Sequence, residues 1–167
     1  YPNVPWAPNS YTEGYIEAIN DDDFDYTTSY LRVVGGSTRH WAGSCWRLLP
    51  NDFKLYSTYG VGRDWPISYD DMEPWYALAE REIGVVGTAE EDQSGQGRGA
   101  YPRRSEPYPL PPEGKPYMLQ RMQSKLGPLG YQVTHEPHAR ASRPYHDRPA
   151  CIGNNMCEPV CPLDAMY

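Results

Sequence analysis

The chain has 167 residues and a formal net charge of −7, which excludes nucleic-acid binding through a basic face. Apolar residues make up 39% and there are 18 prolines and 15 glycines, so we predict a loop-rich fold, whereas 15 tyrosines argue against disorder. No apolar run approaches membrane-spanning length and no signal peptide is recognisable. The length suffices for one domain with a hydrophobic core, and we expect it to be an internal piece of a longer protein.

The first part of the chain predicts a strand that runs into a glycine turn. Residues 24–34 are rich in Tyr, Thr and Val and predict the strand. Gly35 and Gly36 follow directly, and paired glycines let a backbone approach a ligand closely. Taken alone, the pair is also explained by an ordinary turn. Residues 48–64 are expected to be a connecting segment with turns at its glycines.

A helix is predicted to follow Ser68. Ser68 and Asp71 form a capping-box pattern, and Gly84 or Gly87 is expected to end the helix. Pro74 either occupies the first position of the main helix or kinks it. Apolar residues recur at helical spacing, whereas the charged run Glu80-Arg-Glu82 is predicted to face solvent. The predicted apolar face consists of Met72, Trp75 or Tyr76, Ala79 and Ile83.

The second half predicts a surface loop, a short helix and a strand. Residues 88–114 are poor in hydrophobic residues and are expected to form a surface excursion. Residues 116–126 predict a helix that Gly127-Pro128 stops, and residues 131–136 alternate as a strand does. We therefore predict an α/β fold divided into residues 1–87, 88–114 and 115–167.

Three of the four cysteines lie close together near the end of the chain. Cys151, Cys157 and Cys161 are spaced C-x5-C-x3-C, and Gly-Asn-Asn within the loop favours tight turns. Three thiolates make a soft metal site. A 3Fe–4S cluster needs only these three, a 4Fe–4S cluster would add Cys45, and zinc would need His138 or His146. A disulfide with one unpaired thiol remains an alternative.

Several stretches together resemble one enzyme family. Gly35-Gly-Ser-Thr followed by Gly43-Ser-x-Trp46 resembles the flavin-contacting stretch of the glucose–methanol–choline (GMC) oxidoreductases. Trp65-Pro-Ile-Ser-Tyr-Asp-Asp-Met-Glu-Pro-Trp-Tyr is similar to the segment that follows it there. The cysteine loop, Cys151-Ile-Gly-Asn-Asn-Met-Cys-Glu-Pro-Val-Cys161-Pro, is similar to one branch, the FAD subunits of bacterial membrane-bound sugar and sugar-acid dehydrogenases of the glucose, fructose, sorbitol and gluconate 2-dehydrogenase type.

The resemblance implies two cofactors, FAD and a 3Fe–4S cluster. Cys151, Cys157 and Cys161 are the implied ligands of the cluster, whereas Cys45 is expected to pack as a small buried residue. The residues implied to contact or line FAD are Gly35, Gly36, Ser37, His40, Trp41, Ala42 and Ser44.

The resemblance also implies an activity and partners. It implies a dehydrogenase that oxidises a sugar, polyol or sugar acid and passes electrons to a cytochrome c subunit, with a small accessory subunit. The implied location is the periplasmic face of the bacterial inner membrane, with membrane association only through the partner. A non-catalytic iron–sulfur or zinc-binding module, and a GMC oxidase that uses oxygen, remain alternatives.

The chain departs from the family pattern in several places. The dinucleotide-binding G-x-G-x-x-G unit and the C-terminal substrate domain with its catalytic histidine are missing, so no catalytic residue is assigned. Ile152 stands where some members have a second cysteine, and Asp164 replaces a common glycine. We therefore expect this chain alone to be inactive.

Overall fold

The computed structural model describes residues 34–36, 38, 41–88, 102–155, 157 and 161–166. Its helices are a 3₁₀-helix Pro50–Lys54, α1 Leu55–Tyr59, α2 Tyr69–Ile83, α3 Tyr117–Leu126 and a 3₁₀-helix Gly127–Leu129. None of the helices in these ranges is long and apolar enough to cross a membrane. The chain divides into two compact units, one of Tyr1–Ala42 with Gly153–Pro162 and one of Gly43–Ile152 with Leu163–Tyr167.

The predicted start of α2 is confirmed, and of the two candidate glycines it is Gly84 that ends the helix. The backbone N–H of Asp71 donates to the Ser68 hydroxyl at 3.2 Å, and the Asp71 carboxylate accepts from the Ser68 N–H at 2.9 Å. Gly84 ends the helix with a left-handed φ of 74°, and its N–H donates to the Glu80 carbonyl at 2.8 Å. Pro74 lies inside the helix and not at its first position.

The predicted faces of α2 are confirmed only in part, since Tyr76 is half-buried and Glu82 is exposed, as predicted. The buried residues are Tyr69, Glu73, Ala77 and Glu80, whereas Trp75 is exposed. Glu80, predicted to face solvent, is only 6% exposed. Hydropathy places a glutamate outside because an unpaired buried charge is costly, but here arginines from other segments pair with the carboxylates.

Other expectations for helices and loops had mixed outcomes. The helix α3 is confirmed as predicted, from Pro116 as its N-cap to Gly127 as its C-cap. Residues 48–64, predicted as a connection, instead contain the first 3₁₀-helix and α1, which ends at Gly60 with φ 71°. This helical segment starts where the Asp52 carboxylate accepts from the Leu49 N–H at 2.6 Å, a local capping contact that apolar periodicity does not reveal.

The strand predicted at residues 131–136 is wrong. These residues form no regular element, and side chains occupy both backbone groups of Val133. The Val133 carbonyl accepts from Lys115 Nζ at 2.8 Å, and the Val133 N–H donates to Gln123 Oε1 at 2.8 Å. The strand predicted at residues 24–34 lies outside the described residues except for Val34.

Isolated β-bridges take the place of strands in the described part of the chain. Ser44 pairs antiparallel with His138, His138 pairs antiparallel with Val86, and Val86 pairs in parallel with Leu110. We call this four-residue arrangement the bridge ladder. It lies beside a core of Val86, Leu110 and Ala141, none of which is exposed to solvent.

The bridge ladder also bears on the predicted surface excursion. Leu110 is fully buried and belongs to the core, whereas the other residues from 103 to 114 are exposed or half-buried. The apolar Leu110 lies between prolines, which dilute the hydrophobic pattern of this segment. The three-part division of the chain and the α/β class remain predictions, since the described residues show helices and bridges without extended strands.

Candidate functional site

The glycine pair predicted to approach the flavin has a left-handed backbone. Gly35 has φ 92° and Gly36 has φ 57°, conformations that side chains with a Cβ rarely adopt. The Thr38 hydroxyl donates to the Gly35 carbonyl, and the Trp41 N–H donates to the Thr38 carbonyl at 3.3 Å. This geometry suits close backbone approach and also an ordinary turn, so the flavin contacts of the pair stay a prediction.

The remaining predicted flavin residues of this unit differ in exposure. Trp41 is half-buried and Ala42 is exposed. Ser37 and His40 lie outside the described residues.

Ser44 belongs to the other compact unit, where the bridge ladder fixes its backbone. The Ala139 N–H donates to the Gly43 carbonyl at 2.7 Å, and the Cys45 N–H donates to the Pro137 carbonyl at 2.9 Å. The exposed Ser44 side chain donates its hydroxyl hydrogen bond to a carboxylate oxygen of Glu136. Glu136 was not predicted from the sequence, because it is separated from Ser44 by 92 positions.

Position 43 favours glycine for two reasons. Its φ is +90°, and an added Cβ would lie 3.0 Å from the sulfur of Met166. The left-handed φ disfavours any residue with a Cβ, and such a Cβ would also need the Met166 side chain to shift. The left-handed backbone and the packing against Met166 therefore favour glycine at this position, in addition to any approach of a ligand.

Cys45 lies next to Ser44 and its thiol is neutral. Burial, followed by the charges of Glu80 and Glu136, raises the pKa of Cys45 to about 12. Its sulfur donates to the Gly43 carbonyl at 3.2 Å. Cys45 is half-buried, and the expectation that it packs as a small residue stays a prediction.

A buried cluster of four charges lies between residue 47, α2 and residues 103–106. The Arg47 guanidinium donates to both carboxylate oxygens of Glu80 at 2.8 Å and to Glu73 at 2.9 Å. Arg104 binds the same two oxygens of Glu80. The four side chains are between 2% and 7% exposed. We call Arg47, Glu73, Glu80 and Arg104 the charge cluster.

Neutral groups complete the charge cluster. The Ser105 N–H and hydroxyl both donate to Glu73 at 2.9 Å. The Tyr69 hydroxyl accepts from Arg47 at 2.9 Å and donates to the Arg103 carbonyl at 2.6 Å. Burial alone would raise the pKa of Glu73, but the hydrogen bonds from Ser105 and Arg47 lower it to about 2. The cluster therefore stays charged and anchors the end of the segment that carries Ser44.

The cysteine loop has the turn geometry expected from its sequence. Gly153 has φ 68° and Asn155 has φ 57°, both left-handed. None of the four cysteines, all of which are described, forms a disulfide. The chemistry of three thiols outside any disulfide fits a thiolate-bound cluster.

The arrangement of the three cysteines remains a prediction. Cys151 belongs to one compact unit, whereas Cys157 and Cys161 belong to the other. Within the described residues, no three His, Cys, Asp or Glu side chains form a group that could hold a metal ion.

Known proteins similar to this chain are oxidoreductases. The chain is 45% identical over 170 residues to the fructose dehydrogenase large subunit of Gluconobacter japonicus, an alignment that covers all of this chain and 30% of that protein. It is 33% identical over 150 residues to 6'''-hydroxyparomomycin C oxidase of Streptomyces lividus, covering 87% of this chain and 25% of that protein.

A third relative extends the comparison to a sugar acid. The gluconate 2-dehydrogenase flavoprotein of Pantoea cypripedii is 29% identical over 130 residues, covering 67% of this chain and 21% of that protein. The chain thus spans less than a third of the length of these relatives. No family model matches the chain.

Proposed function

The chain belongs to the glucose–methanol–choline oxidoreductase family, and on that premise we propose that the protein is an FAD-dependent dehydrogenase of a sugar, polyol or sugar acid. The observation that carries this proposal is 45% identity over the whole chain to a fructose dehydrogenase large subunit. Every relative named above is an oxidoreductase, which supports the same enzyme class for the full-length protein. The choice of substrate class rests on the similarity to a sugar dehydrogenase and a sugar-acid dehydrogenase.

The residues proposed to hold FAD are those of the glycine segment. Gly35 and Gly36 support this role because both have left-handed φ and no Cβ, which allows a ligand to approach the backbone. Ser44 supports it because its side chain is exposed on a backbone that the bridge ladder fixes. The other proposed contacts are Ser37, His40, Trp41 and Ala42.

The proposed second cofactor is a 3Fe–4S cluster on the three clustered cysteines. When bound, FAD accepts a hydride from an alcohol carbon, and an iron–sulfur cluster passes electrons singly to a cytochrome c partner. Cys151, Cys157 and Cys161 would supply thiolates. The backbone N–H groups of Gly153, Asn154 and Asn155 would donate hydrogen bonds to the sulfurs and so tune the potential.

The proposed assembly is the one that the resemblance to the family implies. It comprises a cytochrome c subunit and a small accessory subunit at the periplasmic face of the bacterial inner membrane, with membrane attachment through the partner. No catalytic residue is proposed within this chain, because the family's catalytic histidine belongs to the substrate domain.

The test uses Cys161→Ser in the full-length protein. Rapid mixing with sugar should still reduce the flavin, and the reduced flavin should still reduce a small dye directly. Reduction of cytochrome c should fall steeply. Cys45→Ser is the matched control, because Cys45 is expected to pack as a small residue, and it should retain the iron. Collapse of flavin reduction with FAD and fold intact, or undiminished cytochrome reduction without the cluster, would contradict the proposal.

A second candidate is an oxidase that uses oxygen. It is favoured by 33% identity to 6'''-hydroxyparomomycin C oxidase. Direct peroxide formation together with the absence of iron would identify this alternative. The higher identity to a dehydrogenase subunit leads us to prefer electron transfer to a protein partner.

A further inference from the structure

The bridge ladder brings together two residues that are distant in sequence. Ser44 and Glu136 are 92 positions apart, and the pairing of residues 43–45 with residues 137–139 places their side chains in hydrogen-bond contact. Of the two residues that this hydrogen bond joins, Ser44 is exposed and Glu136 is half-buried. The pair thus sits at the surface of its unit, accessible to a ligand.

We infer that Glu136 is a positioning residue that orients the Ser44 hydroxyl and places a fixed negative charge beside the proposed flavin contact. This inference rests on the proposed function, since the flavin contact of Ser44 belongs to that proposal. It adds a residue to the site that no part of the family resemblance assigns.

The orientation of the hydroxyl follows from hydrogen-bond chemistry. An ionised carboxylate only accepts hydrogen bonds, so the Ser44 proton is directed toward Glu136. The lone pairs of the Ser44 oxygen then remain for a donor on the ligand. Ser44 is therefore prepared to accept from an N–H group, and a charged partner strengthens such a chain of hydrogen bonds.

The electrostatic effect follows from the charge of Glu136. The negative charge of Glu136 also acts on Cys45, the residue after Ser44, because it contributes to the raised pKa of that thiol. A negative charge beside an electron-accepting group disfavours the addition of electrons and so lowers its reduction potential. Removing the charge without changing the shape of the side chain should raise the potential of the flavin.

The test compares Glu136→Gln with Glu106→Gln in the flavin-loaded full-length protein. Glu106 is the control because its carboxylate pairs with Arg81, whereas the Ser44 hydroxyl bonds to Glu136. We expect Glu136→Gln to shift the midpoint potential of the flavin to more positive values and to weaken FAD binding several-fold. Glu106→Gln should change neither quantity. Circular dichroism checks that both variants fold.

A double-mutant cycle tests whether Glu136 acts through Ser44. In the Ser44→Ala background, the effect of Glu136→Gln on FAD affinity should largely disappear, because the hydroxyl that Glu136 orients is gone. Should Glu136→Gln fail to fold, Glu136→Asp keeps the charge on a shorter side chain. It should weaken FAD binding while leaving the potential close to that of the wild type.

The outcomes separate this inference from the proposed function. A wild-type protein without FAD would overturn both. With FAD bound, a potential that Glu136→Gln leaves unchanged would refute the inference while the proposed function stands. Equal effects of Glu136→Gln on FAD affinity with and without Ser44 would refute the positioning role.

Discussion

Removing the arginine at the centre of the charge cluster should destabilise the protein severely. Arg47→Met keeps the apolar stem but deletes the guanidinium, which makes two hydrogen bonds to Glu80, one to Glu73 and one to Tyr69. The cluster holds two cations and two anions. The substitution therefore leaves a net buried charge of −1, because Arg104, which binds Glu80, is the one cation left against two carboxylates.

The structure sets the size of this effect. Breaking a buried ion pair by removing one partner costs about 3–5 kcal/mol. That is a large share of the roughly 5–15 kcal/mol by which native proteins are stable. Arg81→Met is the matched control, since Arg81 and Glu106 are 47% and 45% exposed. An exposed pair of this kind contributes about 0–1 kcal/mol.

The assay is urea unfolding of the full-length protein, followed by circular dichroism and analysed by linear extrapolation. A second variant tests the cause: adding Glu73→Gln to Arg47→Met restores charge neutrality and should recover part of the lost stability. If Arg47→Met cost no more than Arg81→Met, the argument that the charge cluster anchors the Ser44 segment to α2 would be refuted.

Three further predictions follow from single positions. Gly84→Ala should lower the free energy of unfolding by about 2 kcal/mol or more, because its Cβ would lie 2.6 Å from the Tyr145 ring at φ +74°. Gly130→Ala, with φ +84° and open space, should cost less in the same urea assay. The pKa of Glu73 is lowered to about 2, so its contribution is present above pH 4.5 and is lost as the pH falls toward 2. Glu73→Gln should flatten this part of the acid-unfolding profile, and an unchanged profile would contradict the assignment. Gly36→Val should reduce the FAD content of the purified protein, whereas undiminished flavin absorbance would show that the glycine is only part of a turn.

Local signals predicted the features that depend on neighbouring residues. The cap of α2 needs only Ser68 and Asp71, and its end needs only Gly84, so the sequence predicted the cap and limited the end to Gly84 or Gly87. The left-handed φ of Gly35 and Gly36 is likewise a property of residues without a Cβ.

Contacts between distant residues explain what the sequence did not predict. The burial of Glu80 depends on Arg47, which lies 33 positions away, so hydropathy alone placed Glu80 in solvent. The alternation at residues 131–136 predicted a strand, but Lys115 and Gln123 bind the backbone of Val133 instead. The pairing of Ser44 with Glu136 needs the bridge ladder, which no local pattern indicates.

The central claim, a flavin dehydrogenase with an iron–sulfur cluster, is tested most directly by the cofactor content of the full-length protein. Flavin absorbance and metal analysis of the same native preparation should give stoichiometric FAD and about three irons per chain. A preparation with zinc and no iron, or one without flavin, would contradict the claim.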